Sequence, residues 1–332
     1  MILTIGTHRL GRTGYTPTPF PLPMARSPRL AHTYSVVARD PKTRQLGVAV
    51  QSHYFSVGRD VPWAEPGVGA VATQSFVDIS YGPRGLLLMR EGISAPDALA
   101  RLVAADRRRD VRQVAMVDAK GRAAAHTGAK CIASAGHATG NGWSVQANMM
   151  LNDEVVPAMA ATVVRSHGDL AERLVKSLNA AERAGGDIRG RQSAAILVVK
   201  GRRTSRPWEG RVLELRVEDH EEPVKELRRL LTLNRAYAHL DAMDAALARK
   251  EVAKALGELG KAGRLAPDSE EIGFWTALEL AKRKRFAEAI PRFRSIFRRN
   301  ERWRELLRRL PAADVVNTRD VEAILRKVDR RE

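Results

Sequence analysis

Catalysis by a side chain needs a group that attacks, a base that takes its proton and donors that hold the charge that develops. The stretch Thr33-Tyr34-Ser35-Val36-Val37-Ala38-Arg39-Asp40-Pro41 offers the first of these. It reads as a strand, and a period of two sends Thr33 and Ser35 to the same side. A strand hydroxyl is a poor nucleophile by itself, and good strand propensity also accounts for Thr33. The patterns GxSxG, SxxK, HExxH and Walker A are absent from the sequence. Asn148 follows a strand of alternating pattern. Its amide could hold an oxyanion, or it could cap the turn leading to Asp153. Gln51, Ser52, Gln74 and Ser75 lie at strand ends, where they could line a pocket or simply finish the strands. Asp187, Arg189 and Arg191 sit in a glycine-rich loop, where arginine could bind a substrate carboxylate. A structural Asp–Arg pair explains the same loop. Arg84, in Tyr81-Gly82-Pro83-Arg84-Gly85, could orient its loop or contact an anion. His126 and His137 lack metal-ligand spacing, and Cys131 reads as a buried thiol.

Hairpins and helix pairs must position these groups. Strands are predicted at Thr33 to Ala38 and Leu46 to Ser52, turned by Asp40-Pro41-Lys42-Thr43, and at Val68 to Thr73. Helices are predicted at Gly82 to Arg90 and from Ser94 to Ala105, where Ser94 and Asp97 have capping-box spacing. A second hairpin joins Val111 to Asp118 with Arg122 to Thr127, and Trp143 to Met149 is a further strand. Helices over Asp153 to Arg165 and Leu170 to Ala184 precede strands at Gln192 to Val199 and Val212 to Val217. This order suggests stacked antiparallel sheets with helices outside, not a parallel βαβ fold. Residues 1–31, with Pro17, Pro19, Pro21 and Pro23 alternating, read as a disordered extension, and Met24 is an alternative start.

The chain has 332 residues, 44% of them hydrophobic, enough to bury a core. It contains no run of about 18 apolar residues and no secretory h-region, so neither a membrane span nor export is expected. A single cysteine excludes an intramolecular disulfide and suits the cytoplasm. The net charge is +18, which raises the prior for nucleic acid. The charge is spread along the chain, however: from Glu270 onward 17 Lys and Arg face 11 Asp and Glu, a difference of +6. Aromatics are only 5%. The runs Arg107-Arg108-Arg109 and Lys282-Arg283-Lys284-Arg285 therefore read as solvated surface. Nucleic acid is not favoured as a partner, and no cofactor or metal is expected.

Many short motifs occur together and in order. They include Gly47-Val48-Ala49-Val50-Gln51-Ser52, Val61-Pro62-Trp63-Ala64, Gly67-Val68-Gly69-Ala70-Val71-Ala72-Thr73-Gln74 and Tyr81-Gly82-Pro83-Arg84-Gly85. Ala125-His126-Thr127-Gly128, Ser144-Val145-Gln146-Ala147-Asn148 and Gly185-Gly186-Asp187-Ile188-Arg189-Gly190-Arg191-Gln192-Ser193 follow. From about Thr33 to Asp219 the chain resembles the DUF1028 family. The resemblance implies an α+β fold, a four-layer αββα sandwich like that of N-terminal-nucleophile (Ntn) hydrolases. Those enzymes use the first residue of the mature chain, with its own α-amine as base; an intrinsic pKa of ~8 leaves part of that amine neutral at pH 7. The matching residue is Thr33, so either the chain is cut between His32 and Thr33 or the amine mechanism does not operate.

From about Pro223 the sequence becomes helical and repeats. Ala255 and Ala289 are 34 residues apart, as are Leu259 and Phe293, Ala262 and Ile296, and Met243 and Ala277. This spacing resembles the tetratricopeptide repeat. Pro267 ends the first unit, whereas Glu301 stands at the matching place in the second. The join, from Arg216 to Leu231, also resembles a peptidoglycan-binding type of module, the lesser reading. The expected layout is thus an extension (1–31), an Ntn-hydrolase-like domain (32–220) and an all-α helical-repeat tail (221–332). The expected function is an amidohydrolase acting on a small-molecule substrate, with Thr33 and Asn148 catalytic. Gln51, Ser52, Gln74, Arg84, Asp187 and Arg189 are its expected substrate-binding residues. The alternative is a non-catalytic sandwich whose tail binds a protein or glycan. Two repeats are too few for independent stability. Trp275, Phe286, Phe293, Phe297 and Trp303 are therefore expected to pack on the first domain or on a second copy in a homo-oligomer.

Overall fold

The computed structural model describes residues 30–31 and 33–330. The rest of the expected extension, residues 1–29, lies outside the described residues. Leu30–Ala31, expected to be disordered, instead form a strand, β1. The α/β part continues with β2 (Thr33–Arg39), β3 (Leu46–Ser52), β4 (Pro62–Glu65) and β5 (Gly69–Phe76). Helices α1 (Tyr81–Arg90) and α2 (Ala95–Ala105) follow, then β6 (Arg112–Asp118), β7 (Ala123–Thr127), β8 (Gly136–Gly140) and β9 (Trp143–Ala147). After α3 (Val155–Arg165) and α4 (Leu170–Arg183) come β10 (Ser193–Val199) and β11 (Arg211–Val217).

Two wholly antiparallel sheets result. One has the order β1-β5-β6-β7, with β4 sharing the β1 edge of β5; the other runs β11-β10-β3-β2-β9-β8. Local chemistry sets the turns. The Asp40 carboxylate accepts from the amides of Lys42 and Thr43 at 3.0 and 2.6 Å, closing the β2–β3 hairpin. Asp118 does the same for Lys120 and Arg122 at 2.9 and 3.0 Å, and Gly121 supplies the positive φ of 86° that the β6–β7 turn needs. Ser94 caps α2 by accepting from the Asp97 amide at 3.2 Å.

The alternation of each strand decides which face is covered by what. Val37, Val48, Val50, Ala70, Ala72, Ala115 and Val117 pack between the two sheets. Tyr34, Val36, Ala49 and Ile196 face the other way, onto α3 and α4. Val71, Val114 and Met116 pack against α1 and α2. Helix α1 lies close to β4: a Cβ on Gly82 would fall 2.3 Å from Trp63 Cγ. The indole is held by a 3.0 Å bond from Nε1 to the Asp60 carbonyl. Gly82→Ala should therefore destabilise. The ~1 kcal/mol gained in helix propensity is outweighed by roughly 1–3 kcal/mol of overpacking. Urea unfolding measures the balance, and an increase in stability would refute it.

The tail comprises α5 (Pro223–Ala248), α6 (Val252–Leu265), α7 (Glu270–Lys282), α8 (Phe286–Arg299), α9 (Arg302–Arg309) and α10 (Thr318–Asp329). Its root is part of the α/β core: Val224, Leu227 and Leu231 of α5 pack with α4 and the outer face of β10 and β11. Ion pairs reinforce this junction. Arg235 reaches Glu172 at 3.0 Å and Asp169 at 2.7 Å, and Arg228 reaches Glu172 at 3.4 Å. The large aromatics do not pack on the first domain as expected. Trp275, Phe286, Phe293, Phe297 and Trp303 cluster with Phe274 inside the tail itself. Two helices beyond the four that two 34-residue units would need, α9 and α10, supply the covering face, through Leu307, Val321 and Ile324.

Burial pushes the Glu172 carboxyl up, but Arg235, Arg228 and Lys176 outweigh it and hold the group below its usual 4.5. Its contribution is therefore complete above about pH 4.5 and is lost as the pH falls through the depressed folded value. Thermal melts from pH 6 to 3 should show an acid-side loss that Glu172→Gln reduces. An identical profile for the variant would refute the junction's role.

Candidate active site between the two sheets

Thr33 opens β2, a central strand flanked by β3 and β9. Its side chain is fully buried on the face that meets the other sheet. Thr33 Oγ1 donates to the Ala31 carbonyl at 2.7 Å and lies 3.1 Å from Ser52 Oγ, its cross-strand neighbour on β3. No titratable side chain among the described residues is recorded as bonded to this hydroxyl.

A band of amides and hydroxyls surrounds it, drawn from both sheets. Gln74 on β5 donates from Nε2 to the Thr33 carbonyl at 3.1 Å and to Gln113 Oε1 at 2.7 Å. Its Oε1 accepts from Ser35 Oγ at 2.6 Å. Gln146 donates to Ser35 at 2.5 Å and accepts from Ser144 at 2.8 Å. Asn148 Nδ2 donates to Gln113 Oε1 at 2.8 Å and reaches the Thr33 carbonyl at 3.4 Å, while its backbone amide donates to the same carbonyl at 3.1 Å. Gln113 Nε2 in turn donates to Thr127 Oγ1 at 2.9 Å and to the carbonyls of Gly136 and Ala147 at 3.1 and 2.9 Å. These side chains are neutral and paired with one another, as most buried amides are. The band therefore orders the side chains around Thr33 and holds its carbonyl.

The other candidates divide. Ser52, Gln74 and Asn148 share the inter-sheet band with Thr33. Asn148 points into it rather than capping a helix. Gln51, grouped with Ser52 in the sequence, faces the opposite side, because neighbours on a strand alternate. It pairs across strands with Tyr34 on the helix-covered face. Its amide is fully buried with neither Oε1 nor Nε2 hydrogen-bonded. Next to it, Tyr34 donates to Glu182, which also pairs with Arg191. Burial first, and then the Glu182 charge, push the Tyr34 hydroxyl well above its ordinary value.

Arg189 grips Asp187 through two branches at 3.0 and 2.7 Å, and Asp187 also accepts from the His53 amide at 3.2 Å. That geometry is a structural clasp between the loop before β10 and the end of β3. Arg84 is exposed on α1, on the far side of the first sheet from Thr33. His126 bonds the Arg109 carbonyl at 2.9 Å and His137 bonds Thr127 at 2.8 Å. Burial, then His126, hold the His137 imidazole below its usual pKa. The basic run is ion-paired: Lys282 and Arg283 with Glu279, Lys284 with Asp320, and Arg285 with Glu288. Sequence reasoning did not single out Gln113. Its signal was a buried-strand glutamine in Arg112-Gln113-Val114-Ala115-Met116, on the alternation that Ala115 and Val117 place inward.

Residues 33–227 match a family described as a family of unknown function, DUF1028. The chain belongs to the DUF1028 family. A crystal structure of a DUF1028 protein from Silicibacter pomeroyi is 31% identical and superposes with a TM-score of 0.54. That match covers 60% of this chain and 88% of the other. No curated protein matches the chain. The DUF1028 match begins at Thr33 itself and ends in α5, so it takes in the inter-sheet band and the root of the tail. Among the described residues, no helix is long and apolar enough to cross a membrane.

Proposed function

We propose that this DUF1028 protein is an amidohydrolase of the Ntn type. It acts on a small non-peptide C–N bond, with Thr33 as nucleophile after cleavage between His32 and Thr33. One observation carries the proposal. Thr33 starts a central strand, amides from both sheets donate to its carbonyl, and among the described residues no charged side chain bonds its Oγ1. A freed Thr33 amine would supply that base, because it lies on the same residue as Oγ1. The amine takes the hydroxyl proton, Oγ1 attacks the substrate carbonyl, and an amide such as Asn148 Nδ2 stabilises the oxyanion. The protonated amine then gives its proton to the leaving nitrogen, and water releases the acyl group. Helices outside two face-to-face sheets agree with the αββα sandwich that this chemistry uses.

The tail is read as tetratricopeptide-like. Met243, Ala255, Leu259 and Ala262 are buried, and so are their partners 34 residues on, Ala277, Ala289, Phe293 and Ile296. A cytoplasmic homo-oligomer remains part of the proposal. A second reading has its own observation. Thr33 is fully buried and β1, directly ahead of it in sequence, is hydrogen-bonded to β5. An uncut chain would thus be a non-catalytic sandwich presenting its tail to a protein or glycan. Intact-mass spectrometry of purified protein separates the two: a mature chain beginning at Thr33 supports catalysis, and an uncut chain supports the second reading.

A further inference from the structure

A cavity of about 550 Å³ opens on the flank of the α/β part. It lies at the far end of the sheets from Thr33. Ser193 on β10 pairs with Ser52, which is opposite Thr33, whereas the cavity is lined by Leu197 and Val199 of the same strand. The seven residues from Ser193 to Val199 span roughly 20 Å. Leu86 of α1 completes an apolar floor, and Glu65, Arg90, Arg203 and Arg211 form the rim.

The rim charges do not cancel. Glu65 is held by Arg90 through two bonds of 2.8 and 2.5 Å. Arg211 pairs with Glu214 but is 63% exposed. Among the described residues, Arg203 has no ion-pair partner. Its guanidinium donates at 2.9 Å to the carbonyl of Arg90, the last residue of α1, and so is anchored with donors to spare.

Two backbone features aim these groups. The register passes from Val198↔Leu213 to Val199↔Arg211, so a bulge skips Val212. Arg211 is thereby placed on the same face as Val199, over the cavity. Gly67, with φ of 63°, lies directly beneath the loop; a Cβ there would fall 2.4 Å from the Arg203 nitrogen. The wall that carries Arg203 is thus set against a position where only glycine fits.

We infer that this cavity binds an amphipathic carboxylate, its apolar body on Leu86, Leu197 and Val199 and its headgroup between Arg203 and Arg211. Cavities of this size, mostly apolar with a few aimed polar groups, are the usual form of small-ligand sites, and arginine is suited to carboxylates. The inference is independent of any chemistry at Thr33. The test is calorimetric titration of the full chain with hexanoate, octanoate and the corresponding alcohols. Octanoate should bind saturably and more tightly than hexanoate, by about fourfold for each methylene buried. The alcohols should bind at least about tenfold more weakly, lacking the charge-assisted bonds. Arg203→Gln, alone and with Arg211→Gln, should bring octanoate towards the alcohol's affinity and leave the alcohol unchanged. Equal affinity for octanoate and octanol overturns the inference. So does absence of saturable octanoate binding, or unchanged octanoate affinity in folded variants.

Discussion

Thr33→Ala should yield a chain that keeps every residue ahead of position 33 and loses amide hydrolysis, by on the order of 10⁴-fold or more. The size of the effect follows from the single hydroxyl. Its loss removes the attacking atom, and the surrounding amides of Gln74, Gln113 and Asn148 cannot replace it because amides are not nucleophiles. Thr33→Ser keeps an oxygen at that position and should retain cleavage and part of the activity. The measurements are intact mass for cleavage and a panel of amides, cyclic amides and imines for turnover. With an amine base of intrinsic pKa ~8, the rate should rise with pH through that region as the amine becomes neutral. An active wild-type chain whose N-terminus lies upstream of Thr33 would rule out the amine mechanism. So would activity that survives Thr33→Ala.

Truncation after Val217 should have the largest effect on stability. It removes α5, and with it Val224, Leu227 and Leu231 from the core beneath α4. Losing the apolar area that those three side chains bury, and exposing what they cover, costs roughly 5–9 kcal/mol by transfer of apolar area. That is comparable to the whole stability of many domains. The truncated chain should unfold non-cooperatively or aggregate. A cut after Asn234 keeps the three residues and should preserve most of the melting temperature of the α/β part. The Asp169 and Glu172 pairs with Arg235 are lost in either case, so the difference between the two cuts reports the apolar contact together with the Arg228–Glu172 pair. Equal melting temperatures for the full chain and the Val217 truncation would show the tail to be an autonomous appendage.

The strands and helices of the α/β part were largely legible because their signals are local. Leu46–Ser52 is a run of β-formers bounded by a turn, and its limits coincide with β3. Ser94 and Asp97 mark the start of α2 through a cap that involves only neighbours. The strands β4 and β8 were not predicted. Pro62-Trp63-Ala64-Glu65 begins with proline, and Gly136-His137-Ala138-Thr139-Gly140 has a glycine at each end. Both are strands through pairing, β4 with β5 and β8 with β9, not through propensity. The helical character of the tail was legible for a similar reason: apolar residues recurring along the chain are periodicity in one dimension.

The sequence by itself determined which hydroxyls and amides were available and which face of each strand they occupy. Period two places Thr33 with Ser35, and would have separated Gln51 from Ser52. Only the tertiary structure decided which faces meet. Gln146 reaches Ser35 across 111 residues, Gln74 reaches Ser35 from the opposing sheet, and Gln113 reaches Asn148. No local rule fixes such pairings, because they depend on strand order and on how two sheets are stacked. The same holds for Arg84, which has charge and a loop-like setting but lies on the helix-covered side of its sheet. It holds as well for Trp275 and Trp303. They needed burial, as their apolar area demanded, but whether that burial came from the first domain or from α9 and α10 was a matter of three-dimensional packing.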